Sequence, residues 1–151
     1  MGSLITLTMA DLSSLNIISF NCRGNSEVKG HYIKSLLHSS NAAIMFLQEH
    51  WLSDHQLQLL SELDSHYLSI GVSGFANSDL TGRPYGGCAI LWSTSIDVRV
   101  NSLRSNSNRI CAARMENDVF RLLLINVYMS YMKAATNPLR FLLISYHLLS
   151  I

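Results

Sequence analysis

Apolar positions along this chain follow two spacings, and the balance between them changes near its middle. Leu15–Asn21 (LNIISFN) is apolar and rich in β-branched residues, and it runs into a polar, glycine-containing loop at Cys22–Ser26, the pattern of a strand. From Glu27 to Ser40, Val28, Tyr32, Ile33, Leu36 and Leu37 recur at helical spacing and predict an amphipathic helix, with Gly30 weakening its start. Asn41–Gln48 (NAAIMFLQ) is a short continuous apolar run, which predicts a strand covered on both faces. Ser53–Asp54 can cap a second helix reaching about Asp64, with Leu57, Leu60 and Leu63 on one face. Tyr67–Val72 reads as a third strand. The stretch from Ser73 to Gly86, punctuated by Gly74, Asn77, Gly82 and Pro84, reads as a loop.

Beyond that loop the pattern predicts strands alone: Gly87–Trp92, Ile96–Val100, Arg109–Met115 and Val119–Met129, the last two joined by a tight turn at Glu116–Asp118. Residues 1–14 read as an N-terminal extension. Strand, helix, strand at the start implies a right-handed crossover between parallel or same-sheet strands. Alternating elements followed by a run of strands fit an α/β or α+β layered domain, with helices on one outer face of a sheet.

The 151 residues suffice for one domain with a sizeable core. Hydrophobic residues make up 48% and charged residues only 14%, which excludes a disordered chain. The low charge also predicts surfaces that expect a cover. A net charge of +1 excludes a strongly basic nucleic-acid footprint spread over the whole chain. One local bias remains: Arg83, Arg99, Arg104, Arg109, Arg114 and Arg121 outnumber Asp97, Glu116 and Asp118 in the same stretch. Arginine suits bidentate phosphate contacts, although solvated strand faces account for most of these residues. Cys22, Cys88 and Cys111 sit far apart in apolar runs and read as buried free thiols in a reducing compartment. No CxxC pair or HExxH spacing points to zinc, and His50 and His55 read as surface or loop residues. The start of the chain lacks the pattern of a signal peptide, and Phe141–Ile151 is too short to span a bilayer, so the expectation is an intracellular protein.

Polar groups at strand ends are the candidate chemistry. Asn21 closes the first strand, and Gln48–Glu49 closes the second. Asn126 and Tyr128, two apart, face the same way on the last strand. Glu49 follows a buried strand, so its carboxylate is partly desolvated and calls for a partner: an arginine, or a hard cation such as Mg²⁺. Spacing alone leaves those two open. Trp51 and Trp92 read as packing residues, and Gly82–Gly87 (GRPYGG) opens a strand, which argues against a P-loop.

Four segments in order, Asn16–Gly24 (NIISFNCRG), Ile44–Trp51 (IMFLQEHW), Gly86–Trp92 (GGCAILW) and Leu123–Met129 (LLINVYM), resemble the endonuclease/exonuclease/phosphatase superfamily. They look most like the endonuclease domains of non-LTR (LINE-type) retrotransposons. The resemblance implies a partial four-layer sandwich over residues 15–132, mainly its first sheet with two helices, whose inner face lacks an opposing sheet. It implies in-line phosphodiester hydrolysis with Mg²⁺ (or Mn²⁺) and a DNA backbone as partner, with nuclear location if DNA is the substrate.

By the same resemblance Asn21 and Glu49 are metal-binding and catalytic, and Tyr128 holds the scissile phosphate. Asn126 lies on the substrate side as a supporting residue, Gln48 orients its neighbours, and Arg83 and Tyr85 contact DNA. The sequence departs from the pattern at Ser130, where a proline is usual. No Gly-Asp-x-Asn, later aspartate or Ser-Asp-His segment follows. Those groups supply the base and the transition-state stabiliser, each worth on the order of 10²-fold in rate. Residues 133–151 read as a divergent tail. The expectation is therefore a nearly inactive nuclease-like portion, monomeric or aggregation-prone. The alternatives are a non-catalytic relic, a nucleic-acid-binding fragment, or another phosphodiesterase branch of the superfamily.

Overall fold

The computed structural model describes residues 3–9, 12–24, 26–75 and 84–129, with side chains from residue 15 onward. Strand β1 (Ser3–Met9) pairs antiparallel with β2 (Leu12–Asn21), so most of the stretch read as an extension is a sheet edge. Helix α1 (Glu27–Ser39) follows, its first turn closed by the Ser26 side chain accepting from the Lys29 N–H. Ile33 and Leu37, four apart, are fully buried on its inner face. Strand β3 (Ile44–Gln48) then runs parallel to β2, as the crossover implied.

The predicted second helix is shorter than expected. A single 3₁₀ turn at Asp54–Gln56 precedes one α-helical turn, α2 (Leu59–Glu62). The Ser53 N–H and hydroxyl both donate to Gln56 Oε1 at 3.2 Å, and the Gln56 N–H donates to the Ser53 carbonyl at 2.9 Å, the i to i+3 bond of 3₁₀ geometry. Strands β4 (Tyr67–Val72) and β5 (Cys88–Ser93) complete a sheet of order β1-β2-β3-β5-β4. Central β3 is buried at all five positions, which its unbroken apolar run foretold.

A second sheet of β6 (Arg99–Leu103), β7 (Ile110–Glu116) and β8 (Arg121–Val127) is antiparallel throughout. It overturns the expectation of a bare inner face. Ile17, Ile44, Phe46, Ile90 and Trp92 of the first sheet pack against Cys111, Ala113, Met115, Leu122 and Leu124 of the second. On the other face of the first sheet, Ile18, Met45, Leu47, Ala89 and Leu91 pack against Ile33, Leu37 and Leu60 of the helices. The chain thus forms three layers: helices, a five-stranded sheet and a three-stranded sheet. The α/β (α+β) partial sandwich of the sequence reading holds. Each residue of β3 serves one core or the other by alternation, which is why its sequence cannot afford a polar residue before Gln48. Among the described residues no helix is long and apolar enough to cross a membrane.

Candidate functional site

Asn21 and Gln48 are paired neighbours at the ends of parallel β2 and β3, so the two chains leave the sheet side by side. The next backbone bonds lock the exits together. Cys22 N–H donates to the Gln48 carbonyl (3.0 Å), Gly24 N–H to the Glu49 carbonyl (2.6 Å), and Glu49 N–H to the Gly87 carbonyl (2.8 Å). This places the Asn21 and Glu49 side chains in contact: Asn21 Nδ2 donates to Glu49 Oε1 at 2.6 Å. The amide is oriented from behind, since Asn21 Oδ1 accepts the Arg23 N–H at 3.1 Å.

The backbone here is strained. Arg23, Glu49 and Trp51 all have positive φ, at 49°, 56° and 57°. Left-handed non-glycine residues cost about 1–2 kcal/mol each and persist where surrounding structure holds them, often at functional sites. Gly24 (φ 99°) admits the Trp51 ring, which a Cβ there would meet at 2.3 Å. Lys29 Nζ lies 5.8 Å from the centre of that ring and donates to the Arg23 carbonyl at 2.6 Å. Trp51 is therefore largely a packing residue at the rim of the site.

Tyr128 reaches the same place from the second sheet. Its ring stands beside Gly86, the residue before the carbonyl that fixes Glu49. Burial raises the phenol above its ordinary pKa, the Glu49 carboxylate raises it further, and Arg109 works against both. Tyr128 N–H donates to the Arg109 carbonyl at 2.9 Å.

Beneath these groups a buried polar network bolts the two sheets together. Asn126 is 2% exposed, and its Nδ2 donates to the carbonyls of Leu47 (2.9 Å) and Ala89 (2.8 Å). Its Oδ1 accepts from Gln48 Nε2 at 2.7 Å, and Gln48 Nε2 also reaches Ser19 Oγ at 3.2 Å. Asn126 spends its amide on protein partners and supports the site from below. Of the remaining sequence candidates, Tyr85 is exposed, packs with its ring tilted 47° to that of Phe75 (centroids 5.8 Å apart), and lines a cleft of about 500 Å³ with Val72, Ser73, Ser107 and Asn108. Arg83 lies outside the described residues.

His50 corrects the sequence reading. It is wholly buried, its Nδ1 accepting the Leu52 N–H (3.0 Å) and its Nε2 facing the Val72 carbonyl (3.2 Å). A backbone N–H on one nitrogen and a carbonyl on the other fix a neutral ring protonated at Nε2. Burial accordingly lowers its pKa to about 4. The ring props the Glu49–Trp51 turn against β4. A short apolar strand ending in Gln-Glu-His could have signalled it, since a turn that follows such a strand starts inside the domain.

The three cysteines are buried free thiols, as expected. Among the described residues, no three His, Cys, Asp or Glu side chains converge as a metal cage, and no salt bridge reaches Glu49. One partly buried carboxylate, held by a neutral amide, fits a hard cation that keeps most of its water and takes one or two protein oxygens.

Comparison with known proteins matches residues 18–147 to the Endonuclease/Exonuclease/phosphatase family. That match runs into the segment read as a divergent tail. No curated protein matches the chain. Among solved structures, the fold is similar to the endonuclease domain of TRAS1, a telomere-specific non-LTR retrotransposon, at 13% identity and a TM-score of 0.54, covering 76% of this chain and 45% of that one. It is similar to the AP endonuclease LMAP from Leishmania major at 16% identity and 0.56, covering 76% and 40%. It is also similar to TDP2 from Caenorhabditis elegans at 21% identity and 0.55, covering 84% and 39%. The chain spans less than half the length of each of these three structures.

Proposed function

Because this chain belongs to the endonuclease/exonuclease/phosphatase family, we propose that Asn21, Glu49 and Tyr128 form the metal-and-phosphate half of a phosphodiesterase site that acts on DNA. The observation that carries the reading is the 2.6 Å bond from Asn21 Nδ2 to Glu49 Oε1. It holds a carboxylate at the mouth of the sandwich, in strained backbone, without an ion-pair partner among the described residues. Glu49 would hold Mg²⁺ or Mn²⁺, with Asn21 fixing its orientation. Bound there, the cation would polarise a phosphoryl oxygen. Tyr128 keeps its proton through neutral pH, because burial and Glu49 both raise its pKa, and so it donates a hydrogen bond to a phosphate oxygen. Tyr85, beside the cleft, offers a face for a base. The structures named above for a retrotransposon endonuclease domain and an AP endonuclease support DNA as the substrate class.

These residues lack the general base and the cationic stabiliser that the sequence resemblance assigns to later motifs. By themselves they bind metal and phosphate but turn over slowly at best. Mn²⁺ binding followed by electron paramagnetic resonance tests the site directly. The wild-type chain should bind, and Glu49→Gln should bind at least tenfold more weakly. Equal binding by Glu49→Gln would remove the reading. Nicking of supercoiled plasmid in Mg²⁺ should stay near background, and any residual cutting should vanish in Glu49→Gln.

A further inference from the structure

We infer that Ser19, Gln48 and Asn126 are positioning residues of this site: their buried hydrogen-bond chain sets the gap between the Asn21–Glu49 pair on the first sheet and Tyr128 on the second, and so couples metal binding to phosphate binding. This rests on the reading of Asn21, Glu49 and Tyr128 given above, and it adds how the two halves are held at one spacing.

Asn21, Glu49 and Tyr128 stand at the ends of three strands, β2, β3 and β8. One buried polar side chain lies just below each of them on the same strand. Ser19 is two residues before Asn21, Gln48 one before Glu49, and Asn126 two before Tyr128. Residues two apart on a strand share a face. Below this layer the same strands fill the space between the sheets with Ile17, Ile44, Phe46, Leu122 and Leu124. A polar layer therefore separates the apolar core from the site.

The bonds of that layer have one consistent direction. The Leu47 and Ala89 carbonyls only accept, so Asn126 turns its Nδ2 to them and its Oδ1 to Gln48. Gln48 must then present Nε2, which donates to Asn126 Oδ1 at 2.7 Å and to Ser19 Oγ at 3.2 Å. The chain of bonds runs from β2 through β3 and across the gap to β8. Apolar side chains could fill this layer with equal or greater stability. They would not fix one spacing, because apolar attraction is not directional. Hydrogen bonds are directional and narrow in length.

Spacing matters because each half is locked within its own sheet. Asn21 and Glu49 are held by their mutual bond and by backbone bonds to Gly24 and Gly87, and Tyr128 by its N–H on the Arg109 carbonyl. A cation at Glu49 and the Tyr128 hydroxyl reach one phosphate together only at the right separation.

Mn²⁺ affinity, followed by electron paramagnetic resonance with and without thymidine 5′-monophosphate, tests this, with Mn²⁺ taken up by the nucleotide itself subtracted. In the wild-type chain the nucleotide should tighten Mn²⁺ binding about fivefold, and Tyr128→Phe should remove most of that gain. Gln48→Met keeps the side-chain length and loses the bonds. It should bind Mn²⁺ alone within about threefold of wild type, yet gain less than about twofold from the nucleotide. Ser19→Ala, which removes one hydroxyl, should fall between the two, and it decides the question if urea unfolding shows that Gln48→Met does not fold. A merely structural role would lower the unfolding midpoint and leave the gain unchanged. A full gain in folded Gln48→Met, or in Ser19→Ala where Gln48→Met is unfolded, with the gain still lost in Tyr128→Phe, would overturn the inference and leave the proposed function standing. No Mn²⁺ binding by the wild-type chain, or no gain from the nucleotide, would overturn both.

Discussion

The imidazole of His50 lies so close to Gly87 that a Cβ added to the glycine would fall 2.4 Å from the ring's Cε1. Gly87 also has a φ of 88°, and its carbonyl accepts the Glu49 N–H. One glycine thus admits the buried ring, turns the chain into β5 and fixes the backbone of the metal-binding candidate. Gly87→Ala should cost roughly 2–4 kcal/mol, from backbone strain and steric overlap together. Urea unfolding measures the loss. A midpoint equal to wild type would mean that the turn relaxes freely.

His50 also sets an acid limit. Its folded pKa of about 4 lies below the ordinary 6.5, so between those values the unfolded chain binds a proton that the folded one does not. Stability from this group is complete above pH 6.5 and falls as pH drops toward 4, by about 3 kcal/mol in all. His50→Gln should abolish the slope in that window, whatever its overall stability. Denaturation midpoints at half-unit pH steps would show it.

Asp64 acts lower on the scale. It is 3% exposed and takes hydrogen bonds from His38 Nε2 (2.7 Å), the His66 N–H (2.8 Å) and His66 Nδ1 (3.1 Å), with Lys34 Nζ at 3.3 Å. The His38 bond is the largest reason its carboxyl sits well below the usual carboxylate range. Its stabilisation is present above pH 3.8 and fades below it. Asp64→Asn should flatten the unfolding curve in that acid window while leaving the His50 window intact.

Asn126→Leu should destabilise the sandwich by roughly 2–4 kcal/mol, because it strands the Gln48 amide and the carbonyls of Leu47 and Ala89 in the interior. Asn126→Asp should be at least as damaging, since a second acceptor would face those carbonyls. Chemical denaturation checks both. A neutral Asn126→Leu would show that the two sheets are held by apolar packing alone.

Cys22, Cys88 and Cys111 are buried, and burial pushes their thiols up to about 11, 12 and 12. The thiolate is the reactive form. Iodoacetamide at pH 8 should leave all three unmodified in the folded chain and label all three in urea. Rapid labelling of any one in the native state would contradict this packing.

Much of the site was legible because its residues sit where a strong local signal stops. Glu49 follows an apolar strand with no polar interruption, and Asn21 ends the strand before it, so both could be placed at one sheet edge without coordinates. Asn126 and Tyr128 were placed on one face by alternation. The backbone partner of Tyr128 was not, because it depends on register. With the hairpin turn at Glu116–Asp118, Tyr128 falls opposite Asn106. The observed turn, where Asn117 caps Phe120, puts it opposite Arg109. A shift of a few residues in a turn leaves the strand pattern unchanged and replaces every cross-strand partner.

The sequence by itself determined the buried strand β3, the amphipathic face of α1, the parallel crossover between β2 and β3, and the order of motifs that places the chain in its family. Each of these depends on neighbours a few residues apart, or on spacing along the chain. Only the tertiary structure decided that β1 pairs onto the sheet edge, that β6 to β8 form a separate opposing sheet, that His50 is interior, and that Asn126 joins the two sheets. Those outcomes depend on which apolar face meets which. Strands of either sheet carry the same alternating pattern, and the pattern does not name the partner that covers it.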